Sequence, residues 1–162
     1  MKMDNLEKLW TEELKDLYDA EKQITEALPK MASKAETAEL RQAFEEHLRQ
    51  TEEHVRRLEE TFEELDMGNP RKKCKGVQGL LTEGEEMMKE ASDAMTRDAA
   101  LIAAAQKVEH YEIAGYGTVV SYAQQLNYPE IAERLQQTLD EEQETDHKLT
   151  KIAESKVNVN AE

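Results

Sequence analysis

The residues of this sequence able to do chemistry are carboxylates and imidazoles standing where a helical core would put leucines. Successive residues of an α-helix turn by about 100°, so each side chain can be placed around its axis against the apolar stripe. In the last long segment Leu135, Leu139, Leu149 and Ile152 define a stripe centred on Glu142, with Thr145 and Asp146 beside it. In the segment before it, Leu101, Ala105, Val108, Val119 and Leu126 centre on Glu112, and Glu109 lies about 60° to one side. His47, Thr51 and His54 share the inner face of a segment carrying Leu40, Phe44, Leu58 and Leu65. The first segment offers Glu13 near the centre of its stripe and Glu21 about 60° off it.

Each long segment thus turns at least one metal-competent side chain inward. In their bodies no Lys or Arg falls within about 50° of a stripe centre, so the cheapest neutralising partner is absent. A buried carboxylate without a counter-charge costs several kcal/mol or takes up a proton, and several together repel. Divalent cations remove both costs. Hard oxygen donors with a histidine nitrogen suit iron or manganese, can bridge two ions, and stabilise the higher oxidation state reached with O₂ or peroxide. Two other readings stay open: a non-enzymatic protein in which a metal only holds the helices together or the acidic surface engages a partner, and a metal-free helical dimer whose inner acids share protons.

Angle also rejects candidates. Glu144-Thr145-Asp146-His147 spells Glu-x-x-His, yet Glu144 and His147 lie about 150° from the centre of their stripe and read as a solvated pair. His110 falls on an outer face as well.

The elements that must position these groups follow from composition and spacing. The chain has 162 residues and a formal charge of −15, which disfavours nucleic acid and anionic membrane surfaces as partners. Its single cysteine, Cys74, allows no intrachain disulfide, and the N-terminal stretch has acids where a signal peptide needs an apolar run, so a cytoplasmic location is expected. With 38% hydrophobic residues, three prolines and six glycines, the chain reads as all-α. Apolar spacing predicts five helices. Pro29 ends or kinks the first, the second stops at Gly68-Asn69-Pro70, RKKCKG forms a solvated connector, Asp98 caps the fourth, and the tail VNVNAE frays.

Hairpins over about 5–65 and 98–155, joined by a crossover of about 66–97 that holds an extra short helix, predict one domain: a ferritin-like four-helix bundle. Folding back near Asn127 sets Glu112 abreast of Glu142 and Glu109 abreast of Asp146. The turn near residues 34 and 35 pairs Glu21 with His47 and Glu13 with His54, and symmetry of the hairpins ranks the first pair higher. Gly115 and Gly117 each cost about 1 kcal/mol mid-helix, which points to close packing or to local widening beside a metal. Tyr116, one turn after Glu112, is placed to hydrogen-bond a ligating carboxylate.

The segments LYDAEKQ, FEEHLRQTEEHVRRLE, DAALIAAAQKVEHYEIAGYGT and LDEEQETDHKLT resemble the YciF family of bacterial stress-associated ferritin-like proteins, over about residues 5–153. The resemblance implies a dimeric ferritin-like bundle with a carboxylate and histidine centre for two divalent metal ions, iron or manganese. Carried onto this sequence it implies Glu21, His47, Glu109, Glu112, Glu142 and Asp146 as ligands. Many members carry an acid where this chain has Gln50, which leaves the first-hairpin side of the site with less charge.

Overall fold

The computed structural model describes residues 2–162. Among them are five α-helices and no strand: α1 Leu6–Lys34, α2 Ala38–Glu64, α3 Lys75–Glu90, α4 Ala94–Gln125 and α5 Pro129–Ile152. Their ends have local causes. Asn5 caps α1 by accepting from the Lys8 N–H at 2.8 Å, and Asp93 caps α4 by accepting from Thr96 at 2.9 Å. Helices α2 and α4 end alike, with Asp66 and Asn127 in the left-handed region at φ 52° and 65°. There the Met67 N–H bonds the Phe62 carbonyl and the Tyr128 N–H bonds that of Ala123, both at 2.9 Å. Pro129 then sits in the first turn of α5, where its missing N–H is not needed.

Several expectations are corrected here. Pro29 does not end α1; it is exposed, and Met31 and Ala32 beyond it are buried and hold the last turn. Helix α2 stops at Glu64, before the Gly68-Asn69-Pro70 signal, because Asp66 adopts the left-handed turn first. Asp98 does not cap its own helix, which begins four residues earlier at Ala94. Its buried carboxylate instead accepts from the Glu36 and Thr37 N–H groups at 2.9 and 2.8 Å, clamping the α1–α2 turn to α4. The connector is only partly solvated. Cys74 is fully buried, with its N–H on Asp19 Oδ2 at 2.7 Å and its thiol on Asp16 Oδ2 at 3.2 Å. The tail does not fray at Val157, which is buried within a wide helical turn over Ala153–Val157.

The four long helices pack as a closed ring, α1 on α2, α2 on α5, α5 on α4 and α4 on α1, while α3 lies across α4 and α1. Gly115 serves the α4–α1 contact: a Cβ there would stand 2.7 Å from Leu17 Cδ2. Gly117 has open space, and α4 runs through both as an uninterrupted α-helix, so no local widening accompanies them. Among the described residues no helix is long and apolar enough to cross a membrane.

The apolar interior is divided in two. One cluster gathers Ile24, Leu28, Phe44, Leu101, Val108 and Leu149, the other Trp10, Leu14, Leu58, Tyr116, Val119 and Leu135. Along each long helix the boundary between them falls on polar residues: Glu21, His47 and His54, Glu109 and Glu112, and Glu142.

Candidate metal centre

This boundary layer is a cluster of four carboxylates and two imidazoles contributed by all four long helices. Glu21, His54, Glu112 and Glu142 have no exposure at all, while His47 and Glu109 keep 3% and 2%. The helices deliver them by the periodicity that builds the core, since each acid replaces one apolar residue of a stripe.

Two groups emerge, sharing Glu142. Glu21, His54 and Glu142 form one, and His47, Glu109 and Glu142 the other; within each, the donor atoms lie within 4.8 Å of one another. Donors on one transition-metal ion stand up to about 4.4 Å apart, so each group is already gathered to nearly that spacing. His47 Nε2 is 2.8 Å from Glu109 Oε1 and 3.8 Å from Glu142 Oε2. His54 Nδ1 is 3.0 Å from Glu142 Oε1 and 3.2 Å from Glu21 Oε1. Despite these distances neither ring nitrogen is aligned for a hydrogen bond.

Among the described residues the buried side-chain atoms left without a hydrogen-bond partner number eight, and all belong to this cluster: Glu21 Oε2, His47 Nε2, His54 Nδ1, Glu109 Oε2 and both oxygens of Glu112 and Glu142. Buried polar groups are nearly always paired, so eight orphans converging on one layer mark the place of a missing partner. Among the described residues every ion-pair contact to these four carboxylates comes from histidine, none from Lys or Arg. The donor set, oxygen-rich with one imidazole per group, fits divalent iron or manganese. Four ionised carboxylates and two neutral imidazoles would balance two divalent cations.

Without cations the layer must manage its own charge. Burial pushes Glu109 and Glu112 well above the usual carboxylate value of 4.5, and the charge of Glu142 adds to it, so both hold protons. Burial acts on Glu142 too, but the Glu109 carboxyl and the two imidazoles beside it outweigh that and hold it at about 2. Burial alone would lower His54; the charge of Glu21 and contacts with Glu141 and Glu142 reverse this and raise it well above 6.5.

The outer atoms of the ligand candidates are held. His54 Nε2 meets Glu141 Oε2 at 2.7 Å, and Arg57 grips both oxygens of Glu141 at 2.7 and 3.0 Å. A carboxylate on the far nitrogen of a ligating histidine fixes its ring and strengthens its donation. His47 Nδ1 has neutral neighbours instead, Thr145 Oγ at 3.3 Å and Gln50 Oε1 at 3.4 Å. Gln50 therefore stands behind His47 rather than in the cluster. The Tyr116 hydroxyl donates to Glu21 Oε1 at 2.5 Å; burial and the charge of Glu21 keep that phenol protonated.

Of the residues singled out by sequence, the structure brings together Glu21, His47, Glu109, Glu112 and Glu142. It does not bring in Asp146, one turn beyond Glu142, whose carboxylate sits at the bundle edge with Gln106 Nε2 at 3.2 Å and His110 Nε2 at 3.2 Å. Glu13 is only half-buried and stands outside both groups. His54, ranked below His47 from the turn geometry, is as central as any member. Thr51 is buried but bonds the His47 carbonyl at 2.8 Å. Glu144, His147 and His110 are exposed. Sequence reasoning missed Glu141 and Arg57; Glu141, next to Glu142, lies off the stripe and carries no signal without knowing where His54 points.

Fold and site together define an all-helical protein with a buried carboxylate and histidine cluster able to hold cations. The chain matches the family described as "Domain of unknown function (DUF892)" over residues 5–162. It is 45% identical over 163 residues to Protein YciF of Escherichia coli K12, covering 100% of this chain and 98% of that one. The crystal structure of the E. coli stress protein YciF superposes with a TM-score of 0.91 at 44% identity, covering 96% and 99% of the two chains. YcfI of Rhodopseudomonas palustris superposes at 0.89 with 38% identity over 93% and 97%. A Xanthomonas campestris protein at 24% identity shares the fold, with a TM-score of 0.73 over 95% and 94%. The protein belongs to the YciF family.

Proposed function

We propose that this chain is a ferritin-like stress protein whose boundary layer holds two divalent metal ions, iron in the first instance and manganese as the substitute, and reacts with O₂ or peroxide. The observation carrying this reading is the set of eight unpartnered buried donor atoms with no Lys or Arg among them. Glu21 and His54 would hold one ion and His47 and Glu109 the other, with Glu142 shared by the two groups and Glu112, whose two buried oxygens have no hydrogen-bond partner, as a further donor in the same layer. When bound, the metal pair supplies electrons and open coordination positions for the oxidant. Glu141 and Arg57 orient His54, Tyr116 steadies Glu21, and the two apolar clusters exclude water on either side.

Anomalous scattering at the iron and manganese edges from crystals of untreated protein tests identity, count and ligands together. Replacing Glu112 and Glu142 together by Gln is expected to abolish metal binding, and full stoichiometry retained by elemental analysis would refute the assignment. A homodimeric, cytoplasmic protein is part of the proposal on family resemblance, and sedimentation velocity checks the dimer. A second reading, a metal that only braces the helices, is favoured by the near-complete sealing of the layer and by the structural role suggested for the R. palustris relative. Iron present in the purified protein, with no oxidation of added Fe²⁺ under air or peroxide, would select it.

A further inference from the structure

The sealing of the layer is uneven. Its only contact with solvent is through His47 and Glu109; Glu21, His54, Glu112 and Glu142 have none. Immediately outside His47 the surface between α2 and α5 opens into a cleft of about 30 Å³, lined by Glu46, His47, Gln50, Glu144, Thr145 and Lys148 among others. That is room for about two waters. At its floor Thr145 Oγ donates to Gln50 Oε1 at 3.2 Å and lies 3.3 Å from His47 Nδ1, neutral contacts that join α5 to α2 beside His47. At its mouth Lys148 pairs with Glu46, both about half exposed. On the His54 side the corresponding gap is closed by the bidentate Arg57–Glu141 pair.

We propose that the α2/α5 cleft is the portal through which divalent cations reach the buried layer, with Thr145 and Gln50 as its gate and Lys148 as an electrostatic brake at its mouth. The inference rests on the metal-binding reading above and deepens it. Thr145 and Gln50 present hydroxyl and amide oxygens to a cation passing inward, and parting them disturbs only the neutral contacts of Thr145 with Gln50 and His47 rather than a charged pair. Glu46 and Glu144 attract a cation to the mouth, while the ammonium of Lys148 opposes it and occupies Glu46. Loading then begins at the His47–Glu109 group, and the deeper group of Glu21 and His54 fills by transfer across Glu142.

The test mixes chelator-stripped protein with Co²⁺ in a stopped-flow instrument and follows the visible absorption of the bound ion, with final stoichiometry from elemental analysis. Thr145→Ile is expected to slow loading about tenfold by plugging the gate, with stoichiometry unchanged. Lys148→Glu is expected to speed loading about fivefold at low salt, the gain fading as ionic strength rises. Lys8→Glu, the same change of net charge on a residue outside the cleft, controls for the overall field and should leave the rate near wild type. Equal rates for wild type, Thr145→Ile and Lys148→Glu, with normal stoichiometry, would overturn the portal and leave the metal site standing. No Co²⁺ bound by wild type at equilibrium would overturn both. Lys148 is exposed, so its variant decides the matter even where the gate variant folds poorly.

Discussion

Replacing Glu112 by Gln should change stability in opposite directions with and without metal. In the stripped protein Glu112 is completely buried, neither oxygen has a partner, and burial followed by the charges of Glu142, Glu21 and Glu109 raises its pKa well above 4.5. An acid whose folded pKa is raised imposes no penalty below its unfolded value, because both states are then protonated. Above about 4.5 the unfolded chain ionises first, and stability falls by about 1.4 kcal/mol per pH unit until the folded pKa is reached. Gln has nearly the shape of the protonated acid and does not titrate, so the penalty disappears while the partnerless polar group remains much as before.

Metal-free Glu112→Gln should therefore unfold several degrees higher than metal-free wild type at pH 7, at about 2–4 °C per kcal/mol for a chain of this size, and the gap should close as pH falls to 4.5. With metal present the order reverses. Saturation at about 1,000 times Kd stabilises wild type by about 4 kcal/mol, and the variant has lost a donor. Thermal unfolding followed by circular dichroism between pH 4.5 and 8, with chelator and with added Mn²⁺, measures both arms. A variant less stable than wild type under every condition would refute the reasoning, since it would make Glu112 an ordinary packing residue.

Three further outcomes can be checked. Gly117→Ala should stabilise the protein by about 0.5–1 kcal/mol, as its Cβ meets nothing within 4 Å, whereas Gly84→Ala should destabilise it because the new Cβ would lie 2.8 Å from the Ala104 Cβ; chemical denaturation of both variants reads the contrast. Asp98→Ala strips the acceptor from the Glu36 and Thr37 N–H groups and should cost about 2 kcal/mol, with faster amide exchange at those two positions. Burial raises Glu141, but His54 and Arg57 bring it down to about 2, so the stability it contributes is present above about 4.5 and lost as pH falls toward 2; Glu141→Gln should flatten that acid limb and weaken metal binding about 10–100-fold in a competition titration.

The layer was legible because its members break a pattern. An acid centred on an apolar stripe has no reason to be there unless something repays its burial, and angular placement alone singles out Glu112 and Glu142 while rejecting Glu144 and His147. Depth along the helix axis was less legible. Setting residues abreast across each turn assumes one narrow level, but the layer spans the two helical turns from His47 to His54, so it takes in both histidines. The same assumption draws in Asp146, which lies past the layer and turns to Gln106 and His110. Contacts set by distant residues left no trace at all. Cys74 is buried because Asp16 and Asp19 of α1 and Tyr111 of α4 receive it, and Asp98 holds the N–H groups of a turn about 60 residues away. The five helices themselves needed only periodicity, since each has enough amphipathic turns to fix its own extent within a few residues.

The division of the interior into two apolar clusters has a consequence for how the molecule comes apart. Each half has its own hydrophobic adhesion, and what lies between them in the stripped protein is a stratum of buried acids and imidazoles with unpartnered atoms; cations at that stratum act as a keystone. Native-state hydrogen exchange should accordingly resolve two protection levels in the stripped protein, one for the Trp10 half and one for the Phe44 half, that merge into a single cooperative unit on loading.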